Sequence, residues 1–305
     1  MRKITDMTAA TALSFVKGHG TENDFVVIPD PNVQVDLTVD LVRALCDRQR
    51  GIGADGVLRV ATAGALVDAG VLDALPEGVA PTDWFMDYRN GDGSIAEMCG
   101  NGVRVFAHYC RAAGLVDTDT FSVGSRAGSR SVAIHSFDQV TADVSVAMGR
   151  VRLDGPSAVG IARGRYIGER VDVGNPHLAC VVDGLTPEAL AALDLTTGAH
   201  LDADVFPNGA NVEILTPLRP ADSDVDFTAH MRVFERGVGE TRSCGTGLVA
   251  AASAALHGIG RDNGVVGITI PGGSVVVTVG DDAAVLRGPS RLVAHGALNA
   301  GWDLR

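Results

Sequence analysis

The chain carries Met86-Asp-Tyr-Arg-Asn-Gly-Asp-Gly-Ser-Ile-Ala-Glu-Met-Cys-Gly-Asn-Gly-Val103 in its first half and Met231-Arg-Val-Phe-Glu-Arg-Gly-Val-Gly-Glu-Thr-Arg-Ser-Cys-Gly-Thr-Gly-Leu248 in its second. In both stretches a cysteine stands thirteen positions after the methionine and begins the motif Cys-Gly-x-Gly. The two cysteines, Cys99 and Cys244, are 145 residues apart in a chain of 305 residues. This repeat predicts a duplication, with two similar lobes that each contain one Cys-Gly-x-Gly motif.

A helix-like stretch follows each motif, at residues 103–113 and 248–257, and Gly114 and Gly258 stand where helices tend to stop. We therefore expect a central helix behind each cysteine and a lobe boundary near residues 145–150. The remaining sequence alternates β-type runs with turns, which predicts mixed or antiparallel sheet in each lobe. The clearest runs are Phe25–Ile28, Ser131–Ile134, Val144–Met148 and Ser274–Val279.

The composition is typical of a globular protein, with 46% hydrophobic and 20% charged residues. Its length suggests about two domains. The net charge of −12 disfavours binding to nucleic-acid phosphates. No apolar run approaches the length of a membrane span, and the N-terminus lacks a secretory signal pattern. We expect a cytoplasmic protein with no nucleic-acid or membrane partner.

The counts of cysteine and lysine disfavour several kinds of site. The five cysteines are odd in number and include no CxxC pair, which disfavours a disulfide scaffold or a zinc site. The only lysines are Lys3 and Lys17. A pyridoxal enzyme requires a lysine for its Schiff base, so few candidates exist.

The repeated motif favours catalytic thiols over structural ones. A single cysteine is more often a buried structural thiol, and we assign that role to Cys46, Cys110 and Cys180. For Cys99 and Cys244, the glycines allow backbone N–H groups to approach a ligand. The helix that follows presents its positive end, which binds carboxylate and lowers the pKa of a thiol.

Three further clusters are less informative by themselves. The segment Gly51–Gly56 matches G-x-G-x-x-G, but residues 41–50 before it are helix-like, whereas a dinucleotide site requires a preceding strand. The clusters at residues 18–25 and 174–177 are rich in turn residues. An adjacent Glu235 and Arg236 would ordinarily be a surface pair, but they lie within the repeated stretch.

Taken together, these segments resemble the diaminopimelate epimerase family over nearly the whole chain. The resemblance rests on HGTENDF (19–25), RGIGADG (50–56), RNGDGS (89–94), EMCGNG (97–102), GNPH (174–177) and ERGVGETRSCGTG (235–247). It implies an α/β (α+β) fold of two pseudo-symmetric lobes, each a β-barrel-like mixed or antiparallel sheet around a central helix. The implied lobes are residues 1–145, with a returning C-terminal tail at 290–305, and residues 146–289.

The resemblance also implies an activity and a set of site residues. The implied reaction is the cofactor-independent interconversion of LL- and meso-diaminopimelate, in lysine and peptidoglycan precursor biosynthesis, by a cytoplasmic isomerase that uses no metal and forms a homodimer. The implied catalytic residues are Cys99 and Cys244, assisted by His177 and Glu235. The implied ligands of the reacting carboxylate are the backbones of Gly100, Asn101, Gly245 and Thr246. The implied ligands of the distal end are Asn23, Asn90, Asn175, Asn211, Glu235 and Arg236.

Alternatives remain open at this point. The nearest is a proline racemase or hydroxyproline epimerase, which uses two thiols on a related fold. A thiol-based redox or metal-binding protein is a different class, but the ligand spacing of a metal site is absent. A non-catalytic binding protein of the same fold would not require both Cys99 and Cys244.

Overall fold

The computed structural model describes residues 12–222 and 224–303. Its strands are β1 (Ser14–Gly20), β2 (Asn23–Pro29), β3 (Gly56–Thr62), β4 (Trp84–Asn90), β5 (Thr120–Ser125), β6 (Gly128–Phe137), β7 (Thr141–Gly149), β8 (Arg152–Ile161), β9 (Gly164–Asp172), β10 (Pro176–Val181), β11 (His200–Leu201), β12 (Asn211–Leu215), β13 (Arg219–Pro220), β14 (Phe227–Glu235), β15 (Gly239–Thr241), β16 (Gly264–Ile270), β17 (Gly273–Val279) and β18 (Ala284–Ala297). Its helices are α1 (Val39–Cys46), α2 (Ala63–Asp68), α3 (Gly100–Ala112), α4 (Pro187–Ala191) and α5 (Gly245–Gly258), with a 3-10 turn at Leu195–Thr197. The four predicted β-type runs lie within β2, β6, β7 and β17, as expected.

The described residues divide into two compact units. Unit 1 comprises residues 12–20, 24–142 and 290–303, and unit 2 comprises residues 21–23, 143–222 and 224–289. Residues 21–23 group with unit 2, in which Thr21 Oγ1 lies 2.7 Å from Ser243 Oγ. The predicted first lobe also includes residues 1–11 and 304–305, which lie outside the described residues.

The same order of strand pairing occurs in both units. In unit 1, β2 pairs parallel with β3, β3 antiparallel with β4, β4 parallel with β5, and β5 antiparallel with β6. In unit 2, β10, β12, β14, β16 and β17 repeat that alternation of parallel and antiparallel pairs. The central helix lies between the corresponding strands in each series, after β4 in one and after β14 in the other. The predicted duplication and the predicted fold class are therefore confirmed.

The two central helices are buried in their units. Helix α3 packs against β1, β3, β4 and β6, and residues 100–108 are all buried. Helix α5 packs against β9, β10, β12, β14, β16 and β17, and residues 247–256 are all buried. Seven of those ten α5 residues are Gly, Ala or Ser, which allows strands to approach on several sides. Helix α5 consequently has no polar face along this stretch.

The observed ends of the two central helices differ in detail from the sequence prediction. Each helix begins at the glycine that follows its cysteine, so the Cys-Gly-x-Gly motif forms the cap and first turn rather than a preceding loop. Gly114 follows α3 with φ +70°, as its role of stop residue requires. Gly258 was the wrong stop residue for α5, because it is the last helical residue. Gly260 has φ +74° and donates its N–H to His257 O at 2.9 Å, which ends the helix.

The G-x-G-x-x-G segment is a helix-to-strand turn. It follows helix α1 and leads into strand β3, which is the reverse of the order that a dinucleotide site requires. The N–H groups of Ile52 and Gly53 both donate to Leu45 O at 3.0 Å. Lys17 Nζ donates to Gly53 O, and it also pairs with Asp24 at 2.5 Å. These contacts support the interpretation of the segment as structural.

Candidate active site

Cys99 is the N-cap residue of helix α3. Its backbone is extended, with φ −142° and ψ 114°, and its Sγ accepts the N–H of Gly102 at 3.4 Å. The side chain is partly exposed. A helix N-terminus stabilises negative charge placed at its cap, so the position suits a sulfur that alternates between thiol and thiolate.

The first turn of α3 presents its backbone rather than its side chains. Gly100 and Asn101 are buried at the start of the helix. The Asn101 side chain is engaged within unit 1, because its Oδ1 accepts from Arg104 Nη2 at 2.6 Å. Their backbone N–H groups lie at the N-terminal end of the helix, where the helix dipole favours an anion. This arrangement fits the predicted capture of a carboxylate by N–H groups.

Cys244 occupies the equivalent cap of helix α5, with φ −127° and ψ 114°. It is 6% exposed, and its Sγ lies 3.6 Å from Thr246 Oγ1. Burial raises the pKa of Cys244 well above its ordinary value of 9.0, and the nearby carboxylate of Glu235 raises it further. Both effects favour the protonated form of this thiol.

Glu235 lies beside this thiol at the end of strand β14. Its carboxylate accepts hydrogen bonds from the Cys244 thiol and from Thr241 Oγ1. Burial raises the pKa of Glu235, although these two hydrogen bonds oppose the shift. Glu235 is thus in hydrogen-bond contact with the Cys244 thiol.

Arg236 has different hydrogen-bond partners from Glu235. It is exposed, and its guanidinium donates to Asn208 O at 3.2 Å. Its backbone N–H donates to Asn211 Oδ1 at 2.9 Å. Glu235 therefore contacts Cys244 and Thr241, whereas Arg236 contacts Asn208 and Asn211. The family resemblance implied both roles for Glu235, as a catalytic residue and as a ligand of the distal end.

His177 is buried with both ring nitrogens engaged. Nδ1 lies 2.7 Å from Glu213 Oε1, and Nε2 lies 3.1 Å from Asn175 Oδ1. Parallel pairing of β10 with β12 sets His177 opposite Asn211, and Glu213 follows two positions later in β12. Asn175 Nδ2 in turn donates to Thr246 Oγ1 at 3.5 Å.

Glu213 is the site residue that the sequence analysis missed. It is fully buried, and burial raises the pKa of its carboxyl. One signal could have revealed it: a single acidic residue stands within the otherwise apolar run Val212–Leu215. A charged residue in a buried strand requires a partner.

The structure brings the predicted site residues together in separate groups within the units. Unit 1 groups Cys99, Gly100 and Asn101 at the start of α3. Asn90, also in unit 1, donates from Nδ2 to Ser94 Oγ at 2.9 Å. Asn23 belongs to unit 2 and follows Thr21 and Glu22, whose φ angles are 50° and 63°. Unit 2 also groups Asn175, His177, Glu235, Cys244, Gly245 and Thr246 around the start of α5, with Asn211 and Arg236 in contact with each other.

The other three cysteines have the surroundings of core residues. All five cysteines are free. Burial raises the pKa of Cys46 and of Cys180 to about 12, and it raises the pKa of Cys110 still further. The structural assignment of these thiols is supported.

Neither a metal-binding cluster nor a membrane-spanning helix occurs among the described residues. Within residues 12–222 and 224–303, no group of three His, Cys, Asp or Glu side chains is placed to hold a metal ion. No helix in the same ranges is both long enough and apolar enough to cross a bilayer.

Comparison with known proteins identifies the family. The model of the family named diaminopimelate epimerase matches residues 15–153 and 170–293. A diaminopimelate epimerase from Rhodococcus erythropolis is 59% identical over 290 residues, which cover 95% of this chain and 97% of that protein. One from Mycobacterium leprae is 58% identical over 292 residues, with coverage of 94% and 97%.

A solved structure shows the fold at much lower identity. A hydroxyproline epimerase from Agrobacterium vitis superposes with a TM-score of 0.61 at 15% identity, and the match covers 96% of this chain and 94% of that one. This likeness concerns the fold alone. The family match over most of the length, together with the high identity to its members, shows that the chain belongs to the diaminopimelate epimerase family.

Proposed function

We propose that this protein is an isomerase that interconverts LL- and meso-diaminopimelate by moving one proton, with no pyridoxal phosphate or metal. The observation that carries the proposal is the pair of N-cap cysteines, Cys99 on α3 and Cys244 on α5. Family membership supports the choice of substrate. The product would serve lysine and peptidoglycan precursor biosynthesis.

In this mechanism the two sulfurs act on opposite faces of the substrate α-carbon. Cys99 begins as the base, since the Gly102 N–H supports negative charge on its Sγ. Cys244 begins as the acid, since burial and the neighbouring Glu235 carboxylate favour its protonated form. Cys99 removes the α-proton and Cys244 delivers its own proton, which leaves Cys99 as thiol and Cys244 as thiolate. The opposite direction of reaction exchanges the two roles.

The developing negative charge requires fixed positive dipoles, because no cofactor accepts the electrons. Backbone N–H groups of Gly100 and Asn101 on α3, and of Gly245 and Thr246 on α5, supply them next to the substrate carboxylate. Donors that are fixed before the reaction stabilise a transition state without reorganisation, and removal of one such donor costs about 100- to 1,000-fold in kcat in well-studied enzymes.

Specificity for diaminopimelate over proline would come from the distal end of the substrate. Diaminopimelate carries a second carboxylate there, and proline has none. Arg236 offers an exposed guanidinium, a fork that suits carboxylate, and its backbone N–H donates to Asn211 Oδ1. Asn23, Asn90 and Asn175 are the further proposed ligands of the distal groups.

The decisive experiment uses LL-diaminopimelate in deuterated water without added cofactor. The expected result is inversion to the meso isomer with uptake of one deuterium at the α-carbon. L-Proline and trans-4-hydroxy-L-proline are the comparison substrates. Racemisation of proline without turnover of diaminopimelate would transfer the protein to the alternative activity and leave the two-thiol mechanism in place.

Two properties of the whole protein complete the proposal. We infer that it acts in the cytoplasm, consistent with five free cysteines. We also infer a homodimer, which light scattering of the purified protein would test.

A further inference from the structure

A chain of four hydrogen-bond contacts runs from Glu213 to the thiol of Cys244 within unit 2. Glu213 Oε1 lies 2.7 Å from His177 Nδ1, and His177 Nε2 lies 3.1 Å from Asn175 Oδ1. Asn175 Nδ2 lies 3.5 Å from Thr246 Oγ1, which lies 3.6 Å from Cys244 Sγ. The chain thus connects a fully buried acid with a proposed catalytic sulfur.

Along this chain, each group donates its hydrogen bond to the next group on the side of Cys244. An amide oxygen only accepts hydrogen bonds, so His177 Nε2 must carry a hydrogen and donate it to Asn175 Oδ1. The amide nitrogen of Asn175 then donates to Thr246 Oγ1. With its oxygen already accepting from Asn175, the Thr246 hydroxyl has its own hydrogen available for Cys244 Sγ.

The surroundings of Glu213 favour its neutral form, which can donate a hydrogen bond to His177. Its Oε2 is buried and has no hydrogen-bond partner within residues 12–222 and 224–303, so the neutral acid suits the pocket better than the anion. Burial raises the pKa of Glu213 in the same sense. A neutral carboxyl donates its hydrogen to His177 Nδ1, which leaves the ring hydrogen on Nε2.

The backbone of helix α5 is shaped around this carboxyl. A Cβ added at Gly247 would lie 2.6 Å from Glu213 Oε1. Glycine at this position therefore allows the acid to lie against the first turn of the helix that bears Cys244.

We propose that Glu213 is a positioning residue that sets the direction of this chain, so that the Thr246 hydroxyl donates to Cys244 Sγ and stabilises the thiolate left after Cys244 has delivered its proton. This inference rests on the proposed epimerase function. Without the carboxyl, the ring hydrogen of His177 can move to Nδ1 and the Asn175 amide can turn over. Thr246 would then donate to Asn175 and accept from the Cys244 thiol, which disfavours the thiolate.

Two substitutions of Glu213 distinguish its role as a hydrogen-bond donor to His177 from the effect of its carboxyl group as such. Glu213→Gln retains a donor for His177 Nδ1, so we expect kcat within about 3-fold of the unmodified enzyme. Glu213→Ala removes the donor, and we expect kcat to fall on the order of 100-fold, with KM changed less. Ile214→Val is the matched control, because Ile214 is the next residue of the same strand and packs into an apolar cluster of unit 2. Its kcat should match that of the unmodified enzyme.

All rates are compared at a temperature at which circular dichroism shows each variant folded. Equal losses in Glu213→Gln and Glu213→Ala would overturn the proposal, since the amide preserves the donor. Full activity of Glu213→Ala in its folded form would overturn it as well.

A second measurement does not depend on the activity. The ¹⁵N chemical shifts of the two His177 ring nitrogens report which one carries hydrogen, and the His177 signals are assigned by their loss in His177→Gln. We expect hydrogen on Nε2 in the unmodified protein and in Glu213→Gln. A ring with hydrogen on Nδ1 alone would refute the proposed direction, even if the protein epimerises diaminopimelate. If the tautomer is as expected but diaminopimelate is not turned over, the proposed function fails and the positioning of His177 stands.

Discussion

The two repeated cysteines have the same backbone setting but different neighbours. Both are extended N-cap residues, with ψ 114° in each case. Cys244 is accompanied by Glu235, whose carboxylate raises the pKa of the thiol. The residue that corresponds to Glu235 in the first repeat is Asn90, which carries no charge. A duplicated backbone has therefore diverged at single side chains, which suits one thiol to begin as the acid and the other to begin as the base.

Removal of either thiol should abolish epimerisation. Cys99→Ala and Cys244→Ala each leave one face of the α-carbon without a proton carrier, so turnover should fall by about 100- to 10,000-fold or more. Exchange of the α-proton with solvent, measured by mass spectrometry in deuterated water, can persist at a low rate from the intact side.

Cys110→Ala is the control for these variants, because Cys110 is a buried thiol of the core of α3. It should lower thermal stability and leave kcat unchanged. Full epimerase activity in either Cys99→Ala or Cys244→Ala would contradict the two-thiol assignment.

The third position after each cysteine offers a paired comparison. A Cβ at Gly247 would meet Glu213 Oε1 at 2.6 Å, whereas at Gly102 the nearest atom, Leu58 Cδ2, is at 3.4 Å. Gly247→Ala should displace the buried acid and lower kcat by roughly 10- to 100-fold. Gly102→Ala should cost distinctly less. Steady-state kinetics of the two variants test this, and a larger loss in Gly102→Ala would be inconsistent with the packing of Glu213 against α5.

Sequence patterns predicted the two thiols because a repeated motif is visible without coordinates. They could not predict the surroundings of Cys244. Its hydrogen-bond chain joins β10 and Asn175 before it with β12 and α5, and only the pairing of strands brings these together. The separation of Glu235 from Arg236 was also invisible, because it depends on where strand β14 ends.

At the level of elements, the strands were easier to predict than their ends. Alternating apolar residues mark the β-type runs, and the paired motifs mark both central helices. The stop glycine of α5 was predicted two residues too early, because Gly258 and Gly260 are equivalent in sequence terms and only backbone conformation distinguishes them. A positive φ at Gly260 decides the point.

Strands β1 and β2 carry a pH-sensitive ion cluster. Burial alone would raise the pKa of Asp24, but hydrogen bonds and charge from Arg48 and Lys17 outweigh it and hold the value at about 2, against an ordinary 3.8. A carboxyl with a depressed pKa in the folded state stabilises the fold above its unfolded value and loses that contribution as the pH falls. The contribution from Asp24 should thus be complete above pH 3.8 and disappear toward pH 2.

Asp24→Asn should remove this dependence. Urea unfolding of the unmodified protein and of the variant, compared between pH 5 and pH 2, should show a difference in stability that shrinks on acidification by on the order of 1 kcal/mol, after allowance for solvent screening. A constant difference across this range would mean that the cluster does not hold Asp24 ionised.

For the molecule as a whole, the scarcity of lysine bears on the type of catalysis. Lys17 is the only lysine among residues 12–222 and 224–303, and it is engaged with Asp24 and Gly53 O. Activity should therefore survive Lys17→Arg, which keeps the positive charge, and exhaustive dialysis against a chelator. Recovery of lost activity on addition of pyridoxal phosphate or a metal salt would count against the thiol mechanism.

The all-round burial of helix α5 has a consequence for how the chain reaches its native state. An amphipathic helix can form early and leave its polar side in water, but residues 247–256 have no such side. Until β9, β10, β12, β14, β16 and β17 have surrounded it, this segment exposes apolar surface that another unfinished chain can bind. The yield of refolding from denaturant should for that reason fall as protein concentration rises, and light scattering should reveal aggregates. A chaperone that shelters apolar segments should restore the yield without changing the stability of the finished fold.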